Sequence, residues 1–314
     1  MHHRCICGSN SQVKVVAVRE MMYGTEDMFR YLECGECGTL RIAVEVGDLE
    51  GYYPADYYSF GEIASCQSLL ATRWLRRFRS HVLRNVPFAV KVLPKRFTPT
   101  WFRWFATLRV PLSASVLDVG SGSGQHLMAM WRDGFRNLDG IDAYIPHDLD
   151  LNHEVRIRRI TLDDVEGEYD VVMFHHSLEH VLNPIETLDC AIGKLGKSGI
   201  LIIRVPVADS YAYRHYQSNW VQIDAPRHQV IPTTRGLTQL VESMGLTLVN
   251  LYRDSTGFQF WGSELYLNGL SLVPNASELS RQFSEAELDI FERRSIIMNR
   301  RNDGDQAVLV FRKP

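Results

Sequence analysis

From residue 115 onward, short apolar runs alternate with longer amphipathic stretches. The apolar runs predict strands at residues 115–119, 138–142, 155–160, 169–175, 199–205, 246–252 and 306–312. Helical spacing of apolar positions predicts helices between them at residues 125–132, 184–195, 233–244 and 284–300. Such alternation is typical of βαβ units with parallel strands. The pattern therefore predicts a doubly wound α/β sheet of seven strands.

The first 50 residues have a different pattern. They contain two strand-like runs, at residues 12–18 and 39–46, and four of the six cysteines of the chain. A segment this short cannot bury enough apolar surface to hold a core of its own, so it needs a staple. We predict a small all-β module at residues 1–50, an aromatic linker and helical cap at 51–112, and a large domain at 113–314.

Residues 63–117 are the one basic region of the chain. They contain no Asp or Glu and ten Lys or Arg side chains. Apolar positions that recur every four residues from Leu70, and an aromatic cluster at residues 101–108, predict two amphipathic helices parted by residues 87–99. Three roles stay open for the basic side chains: a solvated helical cap, binding of an acceptor's phosphate, and peripheral contact with a membrane.

The overall composition excludes several classes of protein. The chain has 314 residues, of which 45% are hydrophobic and 23% charged, and its formal net charge is −3. A chain of this kind buries a large core, which excludes global disorder, and its near-neutral charge argues against a protein that coats nucleic acid. No apolar run approaches the roughly 20 residues that span a bilayer, and the first residues lack a signal-peptide core. We expect a cytoplasmic protein whose cysteines stay reduced or bind metal.

The most specific signal is a glycine-rich turn after the first strand of the large domain. Gly-Ser-Gly-Ser-Gly occupies residues 120–124, between a predicted strand and a predicted helix. Glycines permit this tight turn and let a ligand approach the carboxyl end of a parallel strand. Gln125 stands where the dinucleotide fingerprint has its third glycine, which weakens a nicotinamide interpretation. Asp118 precedes the turn, and Asp142 ends the second strand, where a carboxylate can bind both ribose hydroxyls.

These features resemble the class I S-adenosylmethionine (SAM) dependent methyltransferases over residues 113–314. Residues 169–184 are similar to the family's F-D-V-x-x-x-x-h-V-L-E-H-V-x-x-P segment, and residues 195–201 to its L-K-P-G-G-x-L turn. The resemblance implies a Rossmann-like sheet of seven strands with SAM as the methyl donor. The residues it implies for SAM binding are Asp118, Gly120, Ser121, Gly122, Gly124, Asp142, His175 and Asp163 or its neighbour Asp164.

Candidate catalytic side chains follow the fourth and fifth predicted strands. A hydroxyl acceptor needs a base, and an imidazole suits that task because it titrates near neutral pH. His176 is the first candidate base and His228 the second. Glu179 and His180 either take part in catalysis or support the next helix. A sharper hypothesis is that His-x-x-Glu-His at residues 176–180 presents three ligands to a divalent cation.

Two further segments are similar to a subgroup found with sugar and polysaccharide methyltransferases. Residues 220–228 resemble its W-x-x-x-D-x-P-x-H loop. Glu264 lies in a segment at residues 261–266 that we interpret as a strand and that matches an S-E-L-Y segment of the subgroup. The resemblance implies that Glu264 either accepts a sugar hydroxyl or is an exposed carboxylate.

The four cysteines of the first 50 residues form two close pairs. Cys34 and Cys37 have the C-x-x-C-G spacing of a zinc-ribbon hairpin, whereas Cys5 and Cys7 are one residue closer together. The fourth ligand is therefore either Cys5 in a tighter loop or His3. We predict a structural zinc ion at Cys5, Cys7, Cys34 and Cys37, because four protein ligands leave no open position for catalysis.

Together these features predict a SAM-dependent methyltransferase that acts on a hydroxyl group of a nucleotide-linked sugar or glycan. The expected acceptor is a small molecule or glycan, with or without a phosphate group. Three alternatives stay open: a sugar C-methyltransferase, an RNA or protein methyltransferase that holds its substrate with the ribbon and basic cap, and a protein that binds SAM without catalysis. Acids balance the cations of the ribbon, which argues against nucleic acid.

Overall fold

The described part of the chain divides into two compact units. The computed structural model describes residues 5–11, 13–47, 49–53, 76, 79–80, 104–105, 108, 110–273 and 279–314. We call the unit that contains Met1–Pro54, His176–Asp189 and Ile203–Phe311 the ribbon unit. The other, which contains Ala55–His175, Cys190–Ile202 and Arg312–Pro314, is the glycine-turn unit. Most of the predicted basic helices, and His3, lie outside the described residues.

The secondary structure of the described residues follows the predicted alternation. The strands are β1 (Val13–Arg19), β2 (Met28–Cys34), β3 (Leu40–Ile42), β4 (Ser115–Val119), β5 (Asn137–Ile141), β6 (Leu149–Asp150), β7 (Val155–Arg158), β8 (Tyr169–His175), β9 (Leu195–Pro206), β10 (Val230–Ile231), β11 (Thr247–Arg253) and β12 (Gln306–Arg312). The helices are α1 (Gln125–Asp133), α2 (Pro184–Gly193), α3 (Tyr211–Tyr216), α4 (Thr234–Ser243), α5 (Phe258–Leu267), α6 (Leu279–Gln282) and α7 (Glu285–Arg300). Short 3-10 turns cover Glu50–Tyr52, Leu178–His180, Gln217–Asn219 and Val221–Ile223.

The ribbon unit contains a four-stranded sheet in the order β1-β2-β3-β10. β1 and β2 form an antiparallel hairpin, and β3 pairs antiparallel with both β2 and β10. The buried core against this sheet includes Tyr31, Leu40, Trp220, Ile231 and Phe260, none of which is exposed to solvent. The cysteine-bearing segment therefore shares its sheet and its core with residues far along the chain. The same unit also contains the strand run β11-β12-β9.

The glycine-turn unit contains the strand run β9-β8-β4-β5-β7-β6. β4 is parallel to β5 and β8, and β5 is parallel to β7, whereas β6 is antiparallel to β7. This mixed sheet with its helices confirms the Rossmann-like α/β fold. β9 belongs to both units, so the two runs contain eight strands in the described residues, where the sequence predicts seven. The additional strand is the two-residue β6, which is too short to give a pattern.

The register of three parallel strands sets the position of a candidate site. Val119 at the end of β4 is level with Ile141 at the end of β5 and with Phe174 near the end of β8. The residues that come next after these three positions therefore meet at one edge of the sheet. They are the glycine turn, Asp142 and His175, and this edge is where open α/β sheets bind ligands.

Several segments differ from the sequence prediction. The segment at residues 261–266, predicted as a strand, lies in helix α5. Six of the ten residues of α5 are buried, so apolar side chains surround it and no periodicity distinguishes it from a buried strand. The predicted strand at residues 39–46 shortens to β3, and β2 was not predicted. No helix in the described ranges has both the length and the apolar character needed to cross a lipid bilayer.

Candidate functional site

The glycine-turn unit holds residues 120–124 in a tight turn after β4. The backbone N–H groups of Gly120 and Ser121 donate to the carbonyl of Ile141, at 2.9 and 3.1 Å, and Gly124 N–H donates to the Ser121 carbonyl at 2.9 Å. Gly120 and Gly122 have φ angles of 74° and 52°, in the left-handed region that glycine adopts without strain. The turn is thereby fixed to the adjacent strand β5, and it leads directly into α1.

Asp142 is fixed beside this turn by two backbone groups. Its Oδ2 accepts from Gly122 N–H and its Oδ1 from Tyr144 N–H, each at 2.9 Å. Each carboxylate oxygen has a further lone pair, so the side chain can still accept from a ligand. The structure thus brings together Gly122 and Asp142, two residues that the sequence predicts for SAM binding.

Asp118, on β4, is a buried carboxyl with an unsatisfied atom. It is 2% exposed, and its Oδ1 has no hydrogen-bond partner among the described residues. Burial, together with the negative charge of Asp142, raises the pKa of Asp118 well above its usual value. A buried polar atom of this kind needs a partner, and a ligand with donor groups provides one. The donor-rich methionine end of SAM fits this requirement.

Three stacked rings lie within the glycine-turn unit. The rings of His126 and His175 are stacked with centroids 4.4 Å apart, and Trp104 lies 5.2 Å from His126 and 5.6 Å from His175. His126 is the second residue of α1, and His175 ends β8. The sequence predicts His175 as a site residue but not Trp104 or His126. The aromatic cluster at residues 101–108 was the one signal that pointed to Trp104.

Other predicted residues of this unit are more peripheral. Asp163 is exposed in the turn after β7, and the neighbouring Asp164 accepts from the Thr161 hydroxyl at 2.7 Å. In the basic region, Arg79 forms an ion pair with the buried Asp133 of α1. Most residues of the basic region lie outside the described part of the chain, so the cap, phosphate-binding and membrane roles stay predictions.

Gly140 on β5 is expected to be a sensitive position. A Cβ atom there would lie 2.5 Å from Ile157 Cδ1, 2.6 Å from Ser121 Oγ and 2.9 Å from Leu127 Cδ1. Since Ile157 and Leu127 are fully buried, they cannot move aside freely. We expect Gly140→Ala to lower the free energy of unfolding by about 1–3 kcal/mol through overpacking. Urea denaturation measures this change.

A matched control for this variant is Gly193→Ala. Gly193 ends α2, and a Cβ atom there would meet nothing within 4 Å. We expect it to change stability by no more than about 1 kcal/mol, in the stabilising direction, because alanine restricts the unfolded chain. Equal losses for the two variants would show that the packing around Gly140 is not the cause.

The ribbon unit brings together Glu179, His180 and His228. Each offers one possible ligand atom, and these atoms lie within 4.8 Å of one another. Glu179 and His180 belong to the 3-10 turn that follows β8 in the chain, and Gln229 N–H donates to the Glu179 carbonyl at 2.7 Å. The loop with His228 is also fixed by the Tyr31 hydroxyl, which donates to the His228 carbonyl at 2.7 Å.

Backbone carbonyls define the tautomers of both imidazoles. His228 Nδ1 lies 2.8 Å from the Gln222 carbonyl oxygen, and His180 Nδ1 lies 3.1 Å from that of Arg227. A carbonyl oxygen only accepts, so both Nδ1 atoms carry the proton and both Nε2 atoms keep a lone pair. The Tyr53 hydroxyl oxygen is 3.0 Å from the same His180 Nδ1. Burial, together with the neighbouring imidazole of His228, lowers the pKa of His180 to about 4.

His176 contacts charged groups through both ring nitrogens. Its Nε2 accepts from an Arg204 guanidinium N–H, and its Nδ1 donates to Glu179 Oε1 at 3.2 Å. Arg204 in turn donates through Nε to Asp254 at 2.9 Å. Burial, followed by the positive charge of Arg204, lowers the pKa of His176. The arrangement suits a residue that orients Glu179.

A buried ion-pair network supports the His228 loop. Arg227 and Glu20 have no exposed surface, and Arg227 Nη2 donates to Glu20 Oε1 at 2.6 Å and to Asp224 Oδ1 at 2.7 Å. Asp224 Oδ2 lies 3.8 Å from His228 Nε2. The Glu20 carboxylate also accepts from three backbone N–H groups at residues 23–25.

The ribbon unit also brings the four predicted zinc ligands together. The Sγ atoms of Cys5 and Cys37 are 3.5 Å apart, those of Cys7 and Cys34 are 3.8 Å apart, and all four lie within 4.8 Å of one another. A tetrahedron with Zn–S bonds of about 2.3 Å has edges of roughly 3.8 Å, so the thiols fit a zinc ion. Hydrogen bonding to Cys5 lowers the pKa of Cys37 to about 4.

The ribbon unit contains a cavity of about 310 Å³. One of its lining residues, Leu182, lies two residues after His180 in the sequence. Its lining combines apolar residues, such as Leu182 and Val230, with the polar groups of Arg41, Asn183 and Glu186. Its volume is at the lower end of the range of small-molecule sites.

Glu264, which the sequence predicts as a sugar-binding or exposed carboxylate, accepts from the Tyr216 hydroxyl at 2.7 Å. This contact gives the carboxylate a structural partner.

Comparison with protein families matches the chain to a methyltransferase domain over residues 90–251. Over 53 residues, or 17% of this chain, it is 42% identical to EEF1A lysine methyltransferase 2 of Mus musculus. In an alignment of 171 positions that covers 47% of this chain, it is 28% identical to tRNA U34 carboxymethyltransferase of Haemophilus influenzae (strain 86-028NP). These matches cover 21% and 50% of the two relatives.

Solved structures with related folds have low sequence identity to this chain. One is the 1,6-didemethyltoxoflavin-N1-methyltransferase of Burkholderia thailandensis, solved with bound 1,6-didemethyltoxoflavin and S-adenosylhomocysteine. It is 15% identical to this chain, with a TM-score of 0.42, and the match covers 80% of this chain and 93% of the solved chain. A SAM-dependent methyltransferase from Archaeoglobus fulgidus is 17% identical, with a TM-score of 0.42 and coverages of 76% and 94%.

Proposed function

The chain belongs to the methyltransferase-domain family, and we propose that it transfers a methyl group from SAM to a hydroxyl group of a sugar, either nucleotide-linked or within a glycan. The observation that carries the donor assignment is the glycine turn fixed to Asp142 beside the unsatisfied Asp118. The acceptor assignment is supported by the similarity of residues 220–228 to sugar methyltransferases and by the polar lining of the cavity in the ribbon unit.

Residues of the glycine-turn unit would hold the donor. Asp142 would accept from the ribose hydroxyls, Asp118 would accept from the methionine end, and Gly120, Ser121, Gly122 and Gly124 would allow close approach of the backbone. Asp163 would lie towards the adenine, and the stacked rings of His175, His126 and Trp104 would provide an apolar wall. When bound, SAM supplies an electrophilic methyl group on a sulfonium ion.

The cluster of Glu179, His180 and His228 would act on the acceptor. A hydroxyl group must lose its proton as the new O–CH3 bond forms, and a positioned acceptor for that proton contributes about 10²–10⁴-fold to the rate. Both imidazoles keep a lone pair on Nε2, and the Glu179 carboxylate adjoins them. His176, whose two nitrogens contact Arg204 and Glu179, would position Glu179 rather than act as the base.

The four thiols would bind a structural zinc ion. Their separations suit tetrahedral coordination, and four protein ligands leave no position for a substrate. The zinc ion would tie the residues before β1 to the loop between β2 and β3. Its proposed role is to stabilise the ribbon unit.

A second candidate function is methylation of RNA or protein. The names of the two relatives, a lysine methyltransferase and a tRNA carboxymethyltransferase, favour it. The two names differ in acceptor, a lysine in one and a tRNA in the other, so together they do not indicate one acceptor chemistry. A sugar C-methyltransferase would use the same donor residues with a carbon acceptor.

Titration of S-adenosylhomocysteine into the full chain tests the donor assignment. We expect saturable binding to the wild-type protein and binding about 100-fold weaker, or about 3 kcal/mol, to Asp142→Ala, because hydrogen bonds to a charged group contribute about 1.5–3 kcal/mol each. Asp170→Ala is the matched control. Asp170 also accepts two hydrogen bonds, from Ser115 N–H and its hydroxyl, but it lies at the amino end of β8. Wild-type protein that binds no S-adenosylhomocysteine would refute the assignment.

A further inference from the structure

The cluster of Glu179, His180 and His228 has the donor atoms of a metal site that differs from the cysteine site. We propose that these three side chains bind a divalent transition-metal ion through one carboxylate oxygen and two imidazole nitrogens. The ion-binding claim stands on the geometry of the three residues. The proposed role of the ion, which is to bind and polarise the acceptor hydroxyl, rests on the proposed function.

One possible ligand atom of each of the three side chains lies within 4.8 Å of the other two. The two Nδ1–H groups of His180 and His228 are bound to carbonyl oxygens, so each Nε2 presents its lone pair without competition from a proton. Glu179 is 1% exposed, and its Oε2 has no hydrogen-bond partner within the described ranges, although its Oε1 is held by His176. A buried carboxylate oxygen without a donor is costly unless a cation or donor faces it.

The charges around the cluster also favour a cation. The contacts described above join four carboxylates, those of Glu20, Glu179, Asp224 and Asp254, with two guanidiniums, those of Arg204 and Arg227. With neutral imidazoles, these named groups carry an excess of two negative charges in a largely buried region. A divalent cation at the cluster would neutralise that excess beyond what the hydrogen bonds to these carboxylates provide.

The ligand set indicates which ions suit the site. Imidazole ligands favour zinc, iron(II), cobalt or nickel over magnesium and calcium, which prefer oxygen donors. Three protein ligands leave at least one position for an exchangeable group, as in catalytic zinc sites, whereas the cysteine site is closed. An acceptor hydroxyl bound at the open position would lose its proton more readily because the ion lowers its pKa.

Residues behind the ligands hold them in place. The carbonyl groups of Gln222 and Arg227 orient the two imidazoles, and His176 orients Glu179, as outer-shell partners do in metal sites. The sequence alone pointed to His176 as the third ligand. Since both nitrogens of His176 contact other side chains, we assign the third position to His228, a residue 48 positions beyond His180 in the chain.

Metal content per chain tests this proposal on the full-length protein. After equilibration with excess zinc and removal of unbound metal, we expect about two ions per wild-type chain and about one for Glu179→Gln and for His228→Gln. Cys37→Ser should lose the other ion. His215→Gln, an exposed histidine of the same unit, should keep both. One ion per wild-type chain that disappears in Cys37→Ser, or two ions retained in His228→Gln, would overturn the proposal.

Cobalt provides a second measurement that does not depend on whether a variant folds. In the wild-type protein, cobalt at the cysteine site produces a thiolate-to-metal charge-transfer band, and cobalt at the proposed site does not. We expect a titration with two phases, only one of which has that band. A single phase with the band would count against the second site. S-adenosylhomocysteine binding is measured on the same samples, so failure of the donor assignment and failure of the metal site are told apart.

Discussion

Cys37→Ser is expected to release zinc from the ribbon unit and to destabilise the hairpin formed by β1 and β2, whereas β3 and β10 keep their buried core. In β1 only Val16 and Val18 are buried among seven residues, so this strand contributes little apolar burial. A structural zinc ion contributes about 10–16 kcal/mol of apparent binding free energy in small zinc domains, and that energy acts as folding free energy. A serine hydroxyl binds zinc poorly, so most of this contribution should be lost. Zinc content and thermal unfolding followed by circular dichroism measure the effect.

The matched control is Cys190→Ser. Cys190 is a half-buried cysteine of α2 that is not part of the cysteine cluster. We expect this variant to keep its zinc and to unfold within a few degrees of the wild-type protein. If Cys37→Ser also kept its zinc and unfolded with the control, the four thiols would not be a zinc site.

Arg227→Met is expected to lower the free energy of unfolding by about 3–5 kcal/mol. The substitution keeps much of the side-chain volume but removes the charge that faces Glu20 and Asp224. Glu20 has no exposed surface, so its carboxylate would remain buried without a counter-charge, which is the costly way to break a buried ion pair. The hydrogen bond from Arg227 to the Tyr52 carbonyl would also be lost. Urea denaturation measures the change.

Arg235→Met provides the comparison on the surface of the same unit. Arg235 pairs with Glu36 at 2.9 Å, and more than half of each side chain is exposed to solvent. An exposed pair of this kind contributes only about 0–1 kcal/mol. Equal losses for the two variants would contradict the view that burial makes the Arg227 network important.

Local patterns were sufficient to predict much of the fold. The bounds of β4, β8 and β12 match the prediction, because each is an apolar run with clear limits. Helix α7 begins where predicted, at a capping box in which the Ser284 hydroxyl accepts from Glu287 N–H and the Glu287 side chain accepts from Ser284 N–H. In these segments the local signal and the tertiary structure agree.

Tertiary contacts determine the secondary structure of the segments that the sequence did not predict. β2 contains the charged residues Arg30 and Glu33. Its pattern of exposed and buried positions is explained by its pairing with β1 on one side and β3 on the other. The candidate site also combines local sequence motifs with contacts between distant residues. The glycine turn and the 176–180 segment are local motifs, whereas the contact between Arg227 and Glu20 joins residues 207 positions apart. No spacing rule links such residues, so the supporting network and the role of His228 beside His180 needed the structure.

The most direct test of the central claim is transfer of a labelled methyl group from SAM into a cell extract by the full chain. The extract is then separated into nucleotide sugars, glycolipid and polysaccharide, nucleic acid, and protein. We expect label in one of the first two fractions, and we expect Asp142→Ala to reduce it strongly while Asp170→Ala does not. Label in the nucleic acid or protein fraction, or no label in any fraction from protein that binds S-adenosylhomocysteine, would contradict the proposed sugar methyltransferase.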